Sequence, residues 1–108
     1  MELTIGRWNK ISNNPISLEN IRLFYQPENH YRISWNKYDG NTKFDGYHYS
    51  GRIYVISGYF SIVIDEYRYS VQENTFIDFP SGNYTFLVPN DTGVEIVTVW
   101  ELPEEFRV

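Results

Sequence analysis

The sequence predicts an all-β domain, folded as a small antiparallel β-barrel or as a two-sheet sandwich. The first reason is composition: 19% of the 108 residues are aromatic, Ile and Val are frequent, and Ala is absent. Aromatic and β-branched side chains suit a pleated sheet, whereas Ala is the best helix former. The second reason is that short strand-like runs recur with turn residues between them. Codon bias is an alternative explanation for the missing Ala, and it leaves the pattern argument intact.

Turn residues delimit the predicted strands along the chain. Pro27-Glu28-Asn29 and Asp39-Gly40-Asn41 have the backbone preferences that tight turns need. The strand-like runs between such segments are residues 21–26, 31–36, 43–49, 52–57, 59–64, 67–71, 74–79, 84–88 and 94–102. Helix signals are few. One helical turn is predicted after Pro15, and a short C-terminal one begins at Pro103, since a first helical turn tolerates proline.

The run from Val94 to Glu101 is largely apolar in the middle of both faces, although Glu95 and Glu101 lie on one of them. Val97 and Val99 lie on one face, while Ile96 and Trp100 lie on the other. Successive side chains of a strand point to opposite sides of the sheet, so this pattern predicts a strand that is covered on both sides.

Length and charge limit the classes of function. The 108 residues predict a single domain, and the absence of Cys excludes a disulfide framework and a thiolate metal site. Acidic residues outnumber basic ones by 14 to 9, and the net charge near −5 argues against nucleic-acid and anionic membrane partners. No segment approaches the length of an apolar membrane span. We therefore expect a cytoplasmic protein.

Two segments within residues 46–100 carry a family resemblance. The first, residues 52–65, has a Tyr-Val-Ile-Ser-Gly centre that ends at Gly58, and the second is residues 76–86. The second contains Pro80-Ser81-Gly82, in which proline fixes one backbone angle and glycine supplies a positive one, so that the strand reverses. In order and separation these segments resemble the motifs of the cupin family. The resemblance implies a small cupin-like antiparallel β-barrel or jelly roll over residues 1–108, with extra N-terminal strands.

The same resemblance implies where a metal would be held. Cupins with a metal place two His and one Glu on the first motif and one His on the second. The matching positions here are Asp45 and Tyr47 (or Phe44 and Gly46 with one extra residue), Gly51 and Thr85. The chain has two His in total, His30 and His48, whereas a divalent transition metal needs three or four convergent donors. We therefore predict no metal and no other cofactor.

If the metal positions of the family face inward, every second residue on the same strands faces inward too, and these residues form the predicted lining of the interior. The predicted ligand-binding lining is Asp45, Tyr47, Tyr49, Ile53, Val55, Thr85 and Leu87. A few polar groups among apolar and aromatic walls suit a small-molecule site. They also suit a packed core in which each Tyr hydroxyl finds a partner, and both alternatives stay open.

The residues that alternate with this lining along the strands are expected to point outward. They include a predicted aromatic surface of Tyr54, Tyr84, Phe86 and Arg52. Exposed apolar patches usually mark interfaces, and two-fold dimers are the commonest assemblies. We therefore expect a homodimer through this face, with Arg52 at its rim. The competing expectation is a monomer in which residues 1–36 fold back over the same face.

Three functions are compatible with these observations. The first is a non-catalytic, cupin-like binding module for a small molecule or a protein partner, and this is the prediction. The second is implied by the resemblance to metal-free sugar-nucleotide isomerases and epimerases. It uses His48 as base, Asp45 as its orienting carboxylate and Tyr47 as acid, which must converge on one substrate. The third is a small acidic protein inhibitor, such as an immunity or anti-defence protein.

Overall fold

One long strand is shared by two antiparallel β-sheets in the computed structural model, which describes residues 3–89 and 91–107. This strand is β4 (Gly51–Ile64). The other strands are β1 (Ile5–Arg7), β2 (Tyr31–Tyr38), β3 (Lys43–His48), β5 (Tyr67–Gln72), β6 (Thr75–Phe79), β7 (Gly82–Leu87) and β8 (Val94–Glu101). The helical segments are α1 (Leu18–Arg22) and three short 3-10 turns, Trp8–Lys10, Glu28–His30 and Glu104–Phe106. The prediction of an all-β antiparallel domain is confirmed.

The two sheets divide the strands unequally. Sheet A has the order β1-β6-β4-β8-β2, and sheet B has the order β3-β7-β4-β5. The first half of β4 pairs with β6 and β8, and its second half pairs with β5 and β7. Because β1 and β2 add to sheet A through β6 and β8, the predicted addition of N-terminal strands is confirmed.

β4 passes from sheet A to sheet B at a bulge. The pairing register with β8 shifts between Val55 and Ser57, and Gly58 follows with a φ of 75°. A Cβ atom at Gly58 would collide with the backbone carbonyl of Gly93. The bend therefore needs a residue that adopts positive φ and has no side chain, which is the property of glycine.

The prediction of a strand at residues 21–26 is wrong, because these residues do not form one. Ile21 lies in α1, which Ser17 caps by accepting a hydrogen bond from the backbone N–H of Asn20 at 3.1 Å. A serine cap favours a helix start and here outweighs the β propensity of Ile21. The helical turns predicted after Pro15 and Pro103 are confirmed. No helix within the described ranges is long and apolar enough to cross a membrane.

The interior core lies between the two sheets. It is made by alternate residues of the facing strands, which point away from solvent. The buried members are Ile53, Val55, Phe60, Ile62, Ile64, Val71, Ile77, Phe79, Phe86, Val88, Val94 and Ile96.

A second core lies on the outer face of sheet A, beneath the N-terminal segment. The Trp8 ring meets Tyr54 edge-on at a centroid distance of 5.7 Å, and Ile21 of α1 is completely buried. Val97 and Val99 of β8 belong to this cluster, while the alternate residues of β8 face the interior. The prediction that this strand is covered on both sides is therefore confirmed.

The aromatic face predicted for a dimer interface is not a surface. Tyr54 is 1% exposed under the N-terminal segment, and its hydroxyl lies 2.5 Å from that of Tyr25. Tyr84 and Phe86 point the other way, into the interior core. For Tyr54 the structure matches the competing expectation, in which residues 1–36 cover this face. The homodimer itself stays a prediction, but the face predicted for its interface is wrong.

Arg52, the predicted rim residue, is engaged within the chain. It donates hydrogen bonds of 2.6 and 3.1 Å to the two carboxylate oxygens of Asp78 on β6. Its guanidinium also lies 4.0 Å from the ring centroid of Phe76. A bidentate pair with a stacked ring fixes this side chain against sheet A.

The turn before β7 provides a test of the backbone. Gly82 has a φ of 149°, as expected for a position that favours glycine, and no atom of the described residues lies within 4 Å of where a Cβ would be. We expect Gly82→Val to lower the free energy of unfolding by about 1–3 kcal/mol through strain alone. Gly58→Val should cost more, since strain and collision combine there. Urea denaturation measures both variants, and an unchanged midpoint for Gly82→Val would show that this turn does not need glycine.

Candidate functional site

Two adjoining cavities open at one end of the sandwich, where β3 and β8 end and β4 begins. The first, here called the interior cavity, has a volume of about 90 Å³ and lies between the sheets. Its lining is largely aromatic, with two neutral polar side chains and one imidazole. These residues are Asn36, Tyr38, Phe44, His48, Ile53, Phe79, Tyr84, Phe86, Ile96, Thr98 and Trp100.

The second cavity, here called the mouth groove, has a volume of about 830 Å³. Its walls come from the start of β2, the β3–β4 and β6–β7 connections, the end of β8 and the C-terminal segment. The lining residues are Arg32, Tyr47, His48, Tyr49, Ser50, Ser81, Trp100, Glu101, Leu102, Pro103, Glu105 and Phe106. Because His48 and Trp100 line both cavities, they form the boundary between the interior cavity and the mouth groove.

His48 lies between two aromatic rings at this boundary. Its ring centroid is 4.1 Å from that of Phe79 and 4.3 Å from that of Tyr84, on which it stacks at an interplanar angle of 22°. Both ring nitrogens are buried, and neither has a hydrogen-bond partner among the described residues. A buried polar atom without a partner is costly and uncommon in a folded protein.

Burial also sets the charge state of His48. It lowers the pKa of the imidazole below its ordinary value of 6.5, an effect that the backbone of His48 offsets only in part. Near neutral pH the ring is therefore uncharged, with one nitrogen as donor and the other as acceptor.

Exposed aromatic rings surround the mouth groove. Tyr47, Tyr49 and Phe106 are 63%, 73% and 62% exposed. The rings of Tyr47 and Tyr49 stand perpendicular to each other at a centroid distance of 6.2 Å. On the opposite wall the guanidinium of Arg32 lies 5.4 Å from the ring of Trp100.

Hydrogen bonds fix the walls of the groove. The backbone N–H of Ser50 donates to the hydroxyl of Ser81 at 3.0 Å, which joins the two connections that bound the groove. On the other side the N–H of Leu102 donates to the carbonyl of His30 at 2.8 Å. Arg107 then pairs with Glu101 at 3.0 Å. Both sides of the groove are thus held in place before any ligand binds.

The predicted orientation of β3 and β7 is wrong. Asp45, Thr85 and Leu87 lie on the outer face of sheet B, where the Thr85 hydroxyl donates to the Asp45 carboxylate. The neighbouring positions, among them Phe44 and Tyr84, face the interior instead. The expected lining followed the register of the family motifs, whereas alternation of apolar Phe44 with charged Lys43 and Asp45 already favoured the orientation observed.

The remaining predicted lining residues divide into two groups. Ile53 and Val55 face the interior core, as expected. Tyr47 and Tyr49 line the rim of the mouth groove and are exposed. Sequence reasoning missed the contribution of Trp100, of Arg32 and of the C-terminal segment. Alternation placed Trp100 on the face of Ile96, but no pattern within a single strand showed that Arg32 and the C-terminal segment lie beside it.

The residues of the proposed isomerase do not converge. Asp45 points to the outer face of sheet B, whereas His48 lies inside. None of the residues that the structure describes gives His48 a hydrogen-bonded carboxylate, the orienting partner that a general base of this kind uses.

The family metal positions do not fit a metal. The inward alternatives on β3 are Phe44 and Gly46, and the Glu position is Gly51, so these residues contribute no ligand atom. Within residues 3–89 and 91–107, no group of three or more His, Asp or Glu side chains converges on one point. A divalent metal needs three or more such donors.

One prediction concerns the pH dependence of stability. The pKa of His48 is lower in the folded chain, so the unfolded chain binds more protons just below pH 6.5. Stability should therefore fall as the pH falls from 6.5 to the folded pKa, and should level off below it. Urea unfolding of wild type and His48→Phe over this range isolates the effect. A variant with the same slope as wild type would show that His48 does not cause it.

A second prediction concerns metal content. Untagged protein should contain far less than one equivalent of Zn, Fe, Mn or Ni, because the family positions offer no set of ligand atoms. Elemental analysis after purification without chelators tests this, and a content close to one equivalent would contradict it.

Comparison with known proteins identifies the fold. No family model and no curated protein matches the chain. Among solved structures, the cupin-2 domain of an XRE family transcriptional regulator from Enterobacter cloacae superposes with a TM-score of 0.64 at 10% identity, covering 96% of this chain and 100% of that one.

Two further cupin structures agree. A cupin-2 conserved barrel domain protein from Salinispora arenicola gives a TM-score of 0.60 at 17% identity, covering 93% of this chain and 76% of that one. A cupin-2 domain containing protein from Shewanella frigidimarina gives a TM-score of 0.60 at 14% identity, covering 81% of this chain and 94% of that one. The chain therefore has the fold of the cupin family, as the motifs around Gly58 and Pro80-Ser81-Gly82 predicted.

Proposed function

We propose that the protein is a non-catalytic binding module that holds a small molecule at the mouth of its β-sandwich. The observation that carries the proposal is the buried imidazole of His48, whose two nitrogens have no partner within the described chain. Both nitrogens are closed to solvent, so a ligand with a hydroxyl, amine or carbonyl group would supply the missing hydrogen bond after a shift of the side chains around His48.

The sizes of the two cavities support this arrangement. The interior cavity of about 90 Å³ has room for roughly three water molecules, so it suits one small polar group of a ligand. The mouth groove of about 830 Å³ falls in the range typical of small-molecule pockets and has room for the rest.

The surroundings of His48 favour binding over catalysis. Phe79 and Tyr84 hold the ring on two sides, and no carboxylate of residues 3–89 or 91–107 is hydrogen-bonded to it. A neutral imidazole fixed between rings is a directional hydrogen-bonding group, whereas acid–base catalysis requires a second group that converges on the same substrate. A protein partner, a homodimer and a cytoplasmic location stay predictions, and the proposal does not depend on them.

Three related probes test binding at His48. They are choline, its uncharged carbon analogue with a tert-butyl group in place of trimethylammonium, and the tert-butylacetate anion. Isotope-labelled histidine gives ring-nitrogen signals from His48 and from His30, which lines neither cavity and is an internal control. We expect at least one probe to shift the His48 signals in a saturable way, with a Kd of about 1 mM or tighter.

The matched variants are His48→Phe and His30→Phe. His48→Phe keeps the ring stack but has no nitrogen, so it should weaken binding by about tenfold, while His30→Phe should leave the affinity unchanged. If none of the three probes shifts the His48 signals, or if His48→Phe binds as well as wild type, the proposal is wrong.

A further inference from the structure

We infer that the mouth groove selects a small organic ammonium cation, held against the aromatic rings of Tyr47, Tyr49 and Phe106. This inference rests on the proposed function and adds the chemical class of the ligand. The polar group of the same ligand would reach His48, and its cationic group would stay in the groove.

The first support is the arrangement of the rings. Tyr47 and Tyr49 stand at 90° to each other, so that they can form two walls of a corner, and Phe106 adds a third ring to the same groove. All three are more than 60% exposed, which is unusual for side chains of this size. The face of an aromatic ring carries partial negative charge and attracts a cation, and quaternary ammonium ligands are recognised in this way.

The second support is that the groove already holds one cation against an aromatic face. The Arg32 guanidinium lies 5.4 Å from the ring centroid of Trp100. This contact occupies Trp100 and leaves the exposed rings of Tyr47, Tyr49 and Phe106 for a ligand.

The third support is the balance of charge. The lining contains two carboxylates, Glu101 and Glu105, and one guanidinium, that of Arg32. Arg107 pairs with Glu101 at 3.0 Å, so the carboxylate of Glu105, which the described ion pairs do not include, is balanced by the guanidinium of Arg32. The lining is therefore close to neutral, and it is the net charge of the whole chain, near −5, that favours the approach of a cation over that of an anion.

The three probes separate the possible causes of binding. Choline and its uncharged carbon analogue have nearly the same shape and the same hydroxyl, so any difference in affinity reports the charge. We expect choline to bind at least about threefold more tightly than the analogue. The tert-butylacetate anion should bind most weakly of the three. Calorimetric titration at low salt gives the three dissociation constants.

Two exposed positions provide matched variants. Tyr49→Leu removes a ring but keeps an apolar side chain, and should weaken choline binding about threefold while leaving the uncharged analogue unaffected. Tyr49→Phe keeps the ring and should bind choline like wild type. Glu105→Gln keeps the shape of the side chain and should weaken choline alone, by about twofold at low salt.

The outcomes distinguish this inference from the proposed function. Equal binding of choline and the analogue would mean that the groove recognises apolar shape only. Tighter binding of tert-butylacetate would mean that Arg32 makes the groove an anion site. Either result overturns the ammonium class and leaves small-molecule binding at His48 intact. If no probe shifts the His48 signals, the proposed function fails as well.

Discussion

The bend of β4 at Gly58 is the constraint on which the rest of the structure depends. Because one strand serves both sheets, its first half provides Ile53 and Val55 to the interior core and Tyr54 to the second core outside. The collision that any side chain at Gly58 would make with the Gly93 carbonyl fixes where the strand changes sheets. The interior cavity that His48 borders lies between the two sheets that this strand joins.

Most strands can be predicted from the sequence because runs of β-branched and aromatic residues are separated by turn residues. This pattern is local, so it does not depend on how the sheets pack. It fails at residues 21–26, where a serine cap at Ser17 starts a helix instead. Orientation is the harder question. For β3 and β7, family register places Asp45 and Thr85 inside, whereas alternation with Phe44 and Phe86 places them outside. The structure follows alternation, since burying a phenylalanine stabilises the fold and burying an unpaired carboxylate destabilises it.

The candidate site could be predicted only in part, for a physical reason. His48 and Tyr47 are neighbours in sequence, and both occur at the mouth. Arg32 and Trp100 join them through the pairing of β2 with β8, and Phe106 follows in the C-terminal 3-10 turn. Such pairing depends on how the sheets pack, which no single run of residues encodes. The unpartnered nitrogens of His48 are also a property of packing, because ring contacts with Phe79 and Tyr84 hold the imidazole where the described residues offer it no hydrogen bond.

The two connections that bound one wall of the mouth groove are very short. Two residues, Tyr49 and Ser50, join β3 to β4, and two more, Pro80 and Ser81, join β6 to β7. Each connection crosses between the sheets, and the Ser50–Ser81 hydrogen bond ties them together. An insertion in either connection would separate Ser50 from Ser81, so we expect this wall to vary by exchange of side chains more readily than by length. The opposite wall, residues 102–107, contains no strand and can change in length, which makes it the part of the site where new specificities can evolve.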